Sequence, residues 1–291
     1  MCAYFTEAVG YGAWMNLFSV IGEFIKPFLL EHSRTLIPGQ PRDVMDIYIE
    51  KMIANKDMMR ALASTKVRFP SCFHLRFTGF NVTLATVRNI EDTFRDLLTA
   101  GMETTSSQLE WIVHYMAKCP SVQAKLIAEI DTRLPNGILP SLHDLSKLPY
   151  TEAVIHEALR ISSTVPFGNL HRALEDTEIA GYQVPKDTLV IGNLYAVNND
   201  PNVWQNPREF RPKRFITDDG TFTSGDNPVI GFGTRQRSCI GEELARKQLF
   251  LFTVQIFQRF RVRAAGELCS DHLFSAIVAP KPFQAIFEMR D

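Results

Sequence analysis

The stretch Phe232-Gly-Thr-Arg-Gln-Arg-Ser-Cys-Ile-Gly241 has the composition of a tight loop around one cysteine. Gly233 lets the backbone turn before Cys239, and Gly241 keeps side-chain bulk away just past the sulfur. An apolar helix is predicted over Leu244–Phe260, directly after the loop. Backbone N–H groups at the start of such a helix favour a thiolate, which is suited to ligating a metal. The alternative is a free cysteine packed as a small hydrophobe, the usual state of a lone cysteine.

A second group of residues lies midway along a long helix predicted over 90–119, which Pro120 stops. The segment is Ala100-Gly101-Met102-Glu103-Thr104-Thr105. Threonine is a mediocre helix former, and a buried glutamate costs free energy unless it has partners. The pair Glu103 and Thr104 therefore indicates either a functional acid and alcohol or a polar face with the threonine bonded back to the preceding turn.

Glu157-Ala-Leu-Arg160 places opposite charges at positions i and i+3 of another predicted helix. As an isolated surface pair it would contribute only a few tenths of a kcal/mol. The dipeptide His171-Arg172, at the end of an extended segment, carries no signal of its own.

Together these motifs resemble those of the cytochrome P450 family, the haem-thiolate monooxygenases. The pattern Phe-x-x-x-x-Arg-x-Cys-x-Gly running into a helix is similar to the family's haem-binding signature. The resemblance covers nearly everything from about Phe18 to the end, except 58–89, and favours an animal microsomal-type member. It implies a mainly α fold with a small β part. Residues 1–291 would form a partial P450 domain that lacks the family's N-terminal portion.

The resemblance implies roles around a haem b (iron protoporphyrin IX) cofactor. Cys239 would be the axial ligand, in a haem-thiolate loop and following helix that span 231–260. The side chain of Arg237 would pair with an anionic group of the macrocycle, Phe232 would cover the sulfur, and Gly241 would leave space beside it.

The same resemblance assigns the long helix to the oxygen-binding side of the haem. Glu103 and Thr104 would relay protons towards the activated oxygen, while Ala100 and Gly101 would leave room for oxygen and substrate. The pair His171 and Arg172 would contact a haem propionate.

Two further assignments are structural. Glu157 and Arg160 would lock onto Arg214, in a segment where Lys213 replaces the acid usual in the family. Arg235 occupies a position of the loop where the family strongly favours glycine, and a positive φ there would cost about 1 kcal/mol or more.

The rest of the chain is predicted from turn and periodicity signals. Pro38–Asp43 indicates a turn that resembles the family's linker before a helix, and Asp43 is a candidate cap for a helix over Val44–Met52. Residues 58–89, basic and without an acid, are predicted as an atypical insertion or loop. Further predicted elements are helices over Ser121–Arg133 and Tyr150–Ile161, strands within 165–195 with a turn at Gly181-Tyr182, and a meander over 198–230.

Composition excludes several other classes of protein. The formal net charge of -1 and the pI near 6.7 argue against nucleic acid as a partner. The 5 cysteines are odd in number and far apart, which argues against a zinc site or a disulfide framework. Charged residues interrupt the apolar residues 1–30 before the roughly 18–20 that a membrane span needs. We therefore expect any membrane contact of this stretch to be peripheral.

The expected function is insertion of one oxygen atom of O2 into an apolar organic substrate. Electrons would come from NADPH through an NADPH-cytochrome reductase, and the family resemblance suggests the cytosolic face of the endoplasmic reticulum membrane. The alternative is a truncated, non-catalytic relative with weak or no haem binding, which the position of Arg235 favours.

Overall fold

The protein is described from a computed structural model. It describes residues 27–28, 31–32, 34–43, 45–47, 49–50, 75–77, 80–82, 84–134, 138–225, 229–269, 272–273 and 276–290. The chain divides into two compact units, Met1–Ala100 and Gly101–Asp291, which are treated separately below. The predicted apolar segment 1–30 lies almost wholly outside the described residues.

The described residues form helices and short strands with the following bounds. The α-helices are α1 Leu84–Lys118, α2 Pro120–Arg133, α3 Pro149–Ser162, α4 Leu194–Asn199 and α5 Glu242–Arg259. Short 3-10 helices cover Leu142–Lys147, Pro212–Phe215 and Arg235–Arg237. The strands are β1 Leu75–Phe77, β2 Phe80–Val82, β3 His171–Arg172, β4 Thr177–Ile179, β5 Tyr182–Val184, β6 Leu189–Val190, β7 Phe260–Ala264, β8 His272–Leu273, β9 Ala279–Pro280 and β10 Ala285–Met289. The predicted mainly α fold with a small β part is confirmed.

Prolines set where several of the helices begin. Pro120 and Pro149 occupy the first turn of α2 and α3, where a missing N–H breaks no helical hydrogen bond. The preceding residues, Cys119 and Leu148, have extended φ values of -119° and -120°. A residue before proline is pushed out of the helical region, so α1 ends one residue short of Cys119.

Helix α1 is longer than the predicted 90–119, because it begins at Leu84. The segment from Asn81 to Ala100 contains neither proline nor glycine, so nothing in it interrupts a helix. Within the segment predicted as an insertion or loop, 58–89, the structure also has the antiparallel hairpin of β1 and β2. Residues 58–74 lie outside the described residues.

In the first unit, a turn at Pro38-Gly39 precedes a helical segment that includes residues 45–47 and 49–50. The Asp43 carboxylate accepts hydrogen bonds from the backbone N–H groups of Met45 and Asp46, at 2.9 and 3.1 Å. These are donors that a helix leaves unpaired at its start. The prediction that Asp43 caps this helix is confirmed.

The core of the second unit lies among α2, α3, α5 and the C-terminal half of α1. Its fully buried members include Trp111, Ile130, Val154, Phe250 and Phe257. Within this core, the Trp111 indole N–H donates to the Val278 carbonyl oxygen at 3.0 Å. The core therefore holds α3 in contact with α5, which begins at Glu242, directly after the loop that carries Cys239.

The small β part consists of two-stranded antiparallel ladders in the described residues, pairing β1 with β2, β3 with β6, β4 with β5, β7 with β10 and β8 with β9. The turn between β4 and β5 is Ala180-Gly181, one residue before the predicted position. Both residues have positive φ, 50° and 86°, as the hairpin turn that matches strand twist requires. Glycine therefore takes the second place of the turn, not the first.

No helix in the described part of the chain is long and apolar enough to cross a membrane.

Candidate functional site

The cysteine loop is closed by one short backbone hydrogen bond. The Cys239 N–H donates to the Phe232 carbonyl oxygen at 2.7 Å. Between them, a single turn of 3-10 helix covers Arg235–Arg237, and the Ser238 N–H donates to the Arg235 carbonyl at 3.1 Å. The loop is thus a closed backbone ring with the cysteine at its end.

Two residues inside this ring have left-handed backbone conformations. Gly233 has φ 73°, which glycine adopts without steric cost, and Arg235 has φ 57°. For a residue with a Cβ this conformation costs about 1–2 kcal/mol. The positive φ that we considered for Arg235, because the family favours glycine at this position, is confirmed.

The Cys239 thiol is exposed and forms no disulfide, so the alternative of a cysteine packed as a small hydrophobe is wrong. A Cβ added at Gly241 would lie 3.8 Å from the sulfur, so the glycine leaves one side of Sγ open. Helix α5 begins at the next residue, Glu242, and its N-terminal end favours negative charge nearby. A single soft, accessible sulfur donor of this kind fits a haem iron.

The side chain of Phe232 is half-buried against the core, and Arg246 lies over its ring. The guanidinium carbon is 4.9 Å from the ring centroid, within the range of a cation–π interaction. Arg246 also pairs with Glu242 across one turn of α5, at 2.9 Å. In contrast, the side chain of Arg237 is exposed.

A buried ion pair lies on α3, beside the loop. The Arg160 guanidinium donates to both carboxylate oxygens of Glu157, at 2.7 and 2.9 Å, and both side chains are fully buried. Arg214 donates to the same carboxylate at 3.0 Å, so the predicted pairing with Glu157 is confirmed. Burial lowers the pKa of Arg214, although the carboxylate opposes this.

His156, next to this ion pair, is buried between the edges of Phe215 and Phe222. Its Nδ1 lies 3.5 Å from an Arg246 nitrogen, which is the donor of that contact. Burial, aided by the nearby charge of Arg246, lowers the pKa of His156 to about 4. The imidazole is therefore neutral at physiological pH.

His171 and Arg172 form β3 and pair with Val190 and Leu189 of β6. Both side chains are exposed, and Arg172 lies 3.3 Å from the Asp187 carboxylate. Their contact with a haem propionate stays a prediction.

Glu103 and Thr104 are half-buried on α1, and the Ser106 hydroxyl donates to the Glu103 carbonyl oxygen at 3.1 Å. These two residues and Gly101 belong to the same unit as Cys239, whereas Ala100 belongs to the first unit. The proton relay and the space for oxygen therefore also stay predictions.

Two residues that the sequence interpretation did not select lie at the site, Arg246 and His156. A third, Asn198, accepts a hydrogen bond from the backbone N–H of Ile230, just before the loop. Asn198 lies in a segment rich in proline and asparagine, where no periodicity singles it out. His156 directly precedes Glu157 in the predicted helix over Tyr150–Ile161, and this adjacency was the available signal.

An α-helical core and an exposed cysteine in a closed loop before a helix are features of the haem-thiolate class of proteins. The family model for Cytochrome P450 matches residues 11–287. The chain therefore belongs to the cytochrome P450 family, whose members are haem-thiolate monooxygenases that use a redox partner, O2 and organic substrates.

Curated relatives agree with this assignment and with the resemblance to animal microsomal-type members. The chain is 37% identical to cytochrome P450 2L1 of Panulirus argus, over 92% of this chain and 51% of the relative. It is 34% identical to cytochrome P450 2J3 of Rattus norvegicus, over 86% and 44%. It is 32% identical to farnesoate epoxidase of Bombyx mori, over 97% and 52%. The chain thus spans about half the length of the curated relatives it matches.

Proposed function

We propose that the chain is a haem-thiolate monooxygenase polypeptide that binds haem b through Cys239. The observation that carries the proposal is the exposed thiol at the start of α5, with open space at Gly241 and a backbone closed by the Phe232 hydrogen bond. When bound, haem b would supply the activation of O2, with one oxygen atom inserted into substrate and the other reduced to water.

The residues of the chain would hold this cofactor and its charges. Cys239 would donate electron density from its thiolate, which favours cleavage of the O–O bond. The guanidinium of Arg237 and the pair His171 and Arg172 are exposed and would turn towards carboxylates of a macrocycle. Arg172 would then exchange its contact with Asp187 for a contact with the macrocycle. Phe232, held by Arg246, would keep water from one side of the sulfur.

On α1, Glu103 and Thr104 would hold and transfer protons, because a carboxylate beside a hydroxyl offers both an acceptor and a donor. Ala100 and Gly101, which carry almost no side chain, would leave room for oxygen and substrate. In this turn of the helix, the Ser106 hydroxyl donates to the Glu103 backbone carbonyl oxygen at 3.1 Å.

We further propose an NADPH-cytochrome reductase as electron donor, an apolar organic molecule as substrate, and the cytosolic face of the endoplasmic reticulum membrane as location. The silkworm relative is named for an epoxidation, and epoxidation is the insertion of one oxygen atom. That name supports the class of reaction.

A second candidate is a non-catalytic relative that binds haem weakly or not at all. The observation that favours it is the left-handed conformation of Arg235, inside the ring that carries Cys239. A large side chain thus occupies a backbone conformation that suits glycine, and this strain would weaken haem binding.

The carbon monoxide spectrum of reduced, haem-loaded protein separates the two candidates. We expect the red-shifted Soret band of a thiolate-ligated haem in the wild-type chain and in Cys119→Ser, whose sulfur is half-buried at the junction of α1 and α2. Cys239→Ser should lose the band while keeping its fold. A wild-type sample that takes up no haem, or gives no such band, overturns the monooxygenase proposal in favour of the second candidate.

A further inference from the structure

A fully buried asparagine connects α4 to the start of the cysteine loop. The Asn198 Oδ1 accepts a hydrogen bond from the Ile230 N–H at 3.0 Å, and its Nδ2 donates to the Ile230 carbonyl at 3.2 Å. One side chain therefore pairs with both backbone groups of a single residue. Ile230 is followed directly by Gly231 and Phe232, the residue whose carbonyl closes the loop.

The same asparagine is tied to the buried ion pair on α3. Its Nδ2 also donates to the Ser163 hydroxyl at 3.1 Å, and that hydroxyl donates to the Arg160 carbonyl at 2.9 Å. The Asn198 backbone carbonyl accepts from the Arg160 guanidinium at 2.7 Å. Asn198 thus lies between the buried ion pair of Glu157 with Arg160 and the loop that carries the thiol.

The chemistry of this position requires a carboxamide. Pairing with one N–H and one C=O needs an acceptor and a donor on the same planar group, and the bond to Ser163 uses the second amide hydrogen. An aspartate would present oxygens only and would face the Ile230 carbonyl with negative charge. Leucine would remove the Asn198 partner of both half-buried backbone groups of Ile230.

We infer that Asn198 is a positioning residue for Cys239. It holds Ile230, Ile230 sets where the Phe232 carbonyl lies, and the Phe232 carbonyl orients the backbone of Cys239 at 2.7 Å. Supporting residues of this kind keep a ligand within the narrow range of positions that a metal site tolerates. The effect on haem ligation rests on the proposed function, whereas the effect on the loop backbone does not.

Hydrogen exchange on haem-free protein tests the backbone part. In Asn198→Asp, which conserves size, we expect the amides of residues 229–241 to exchange at least about tenfold faster than in the wild type. The Ile230 carbonyl loses its Nδ2 donor and faces a carboxylate instead. The matched control is Ser163→Ala, which removes the other partner of Asn198 but leaves Ile230 paired. It should accelerate exchange at the C-terminal turn of α3 and leave the loop unchanged.

Two results would overturn the inference: equal loop exchange in Asn198→Asp and wild type, or equal acceleration of the loop by Ser163→Ala. If Asn198→Asp does not fold, the wild-type protein still decides. Its Ile230 amide should be as well protected from exchange as the amides inside α3. The Ser238 amide bonds only within the exposed turn, and an Ile230 amide that exchanges as fast as Ser238 would contradict the role.

The haem-loaded protein tests the consequence for Cys239. In the reduced carbon monoxide complex, Asn198→Asp should lower the fraction of haem with the red-shifted Soret band severalfold, whereas Ser163→Ala should keep the wild-type fraction. An unchanged fraction in Asn198→Asp overturns the positioning role. If the wild type itself lacks the band, the proposed function fails, and hydrogen exchange alone decides the role of Asn198.

Discussion

The Cys239 amide nitrogen and the Phe232 carbonyl oxygen are 2.7 Å apart, at the short end of the range for N–H···O hydrogen bonds. Seven positions separate the two residues in the chain. Of the residues between them, Gly233 and Arg235 have positive φ. The hydrogen bond and these two conformations together set the direction in which the sulfur leaves the loop.

Arg235→Gly should stabilise the protein by about 0.5–1 kcal/mol, because glycine removes the Cβ clash of the left-handed conformation but gains freedom in the unfolded chain. Urea unfolding of the haem-free protein measures this change. The same variant should raise haem occupancy, since relief of strain lets the loop approach the macrocycle.

Ala180→Gly is the matched control for Arg235→Gly, because Ala180 is also exposed and left-handed, with φ 50°, but belongs to the β4–β5 turn. It should raise stability by a similar amount and leave haem occupancy unchanged. Equal haem occupancy in wild type and Arg235→Gly would contradict a role of the strain in cofactor binding.

Glu157→Ala should lower the free energy of unfolding by about 3–5 kcal/mol, because it leaves the buried guanidinium of Arg160 and that of Arg214 without their shared carboxylate. The comparison is Glu288→Ala, which removes an exposed partner of Arg263 and should cost less than about 1 kcal/mol. Denaturant unfolding of both variants gives the two numbers. A loss below 1 kcal/mol in Glu157→Ala would mean that the ion pair is not structural.

Contacts between residues of a known motif could be predicted from the sequence. Contacts outside any motif could not. The pairing of Glu157 with Arg214, 57 positions apart, followed from the family's spacing. The pairing of Asn198 with Ile230 could not be predicted, because an asparagine in a loop-rich segment has many available partners and only the folded backbone selects one. Such choices depend on tertiary packing.

Secondary structure shows the same distinction. Proline and capping signals located the starts of α2, α3 and the helix after Asp43, because their physical causes lie within a few residues. The start of α1 was predicted six residues too late, at Ile90 and not at Leu84, since weak periodicity gives no boundary where breakers are absent.

His156 should make stability depend on pH in the acid range. Its pKa is about 4 in the folded protein, well below the 6.5 of an ordinary histidine, chiefly because of burial. Between these values the unfolded chain binds a proton that the folded protein does not, so stability is lost as pH falls from 6.5 towards 4. The linkage amounts to roughly 3 kcal/mol over that window.

His156→Gln removes the titrating group while keeping a polar side chain beside Arg246. Urea unfolding at several values from pH 7 to pH 4 measures the free energy of unfolding of both proteins. We expect it to fall more steeply with decreasing pH in the wild type than in the variant. A difference that stays constant over this range would contradict a buried, neutral imidazole.

Gly241→Ala should slow alkylation of Cys239 severalfold in the haem-free protein without altering its stability. The added Cβ would lie 3.8 Å from Sγ, an ordinary contact that covers one approach to the sulfur. The backbone of Gly241, with φ -91° and ψ 5°, is open to alanine, so the change in unfolding free energy should stay within about 0.5 kcal/mol. Mass spectrometry of the peptide that contains Cys239 follows the reaction. Gly266→Ala, whose added Cβ meets no atom within 4 Å, is the control and should react at the wild-type rate. If Gly241→Ala also reacts at that rate, the open side of the sulfur does not lie over this glycine.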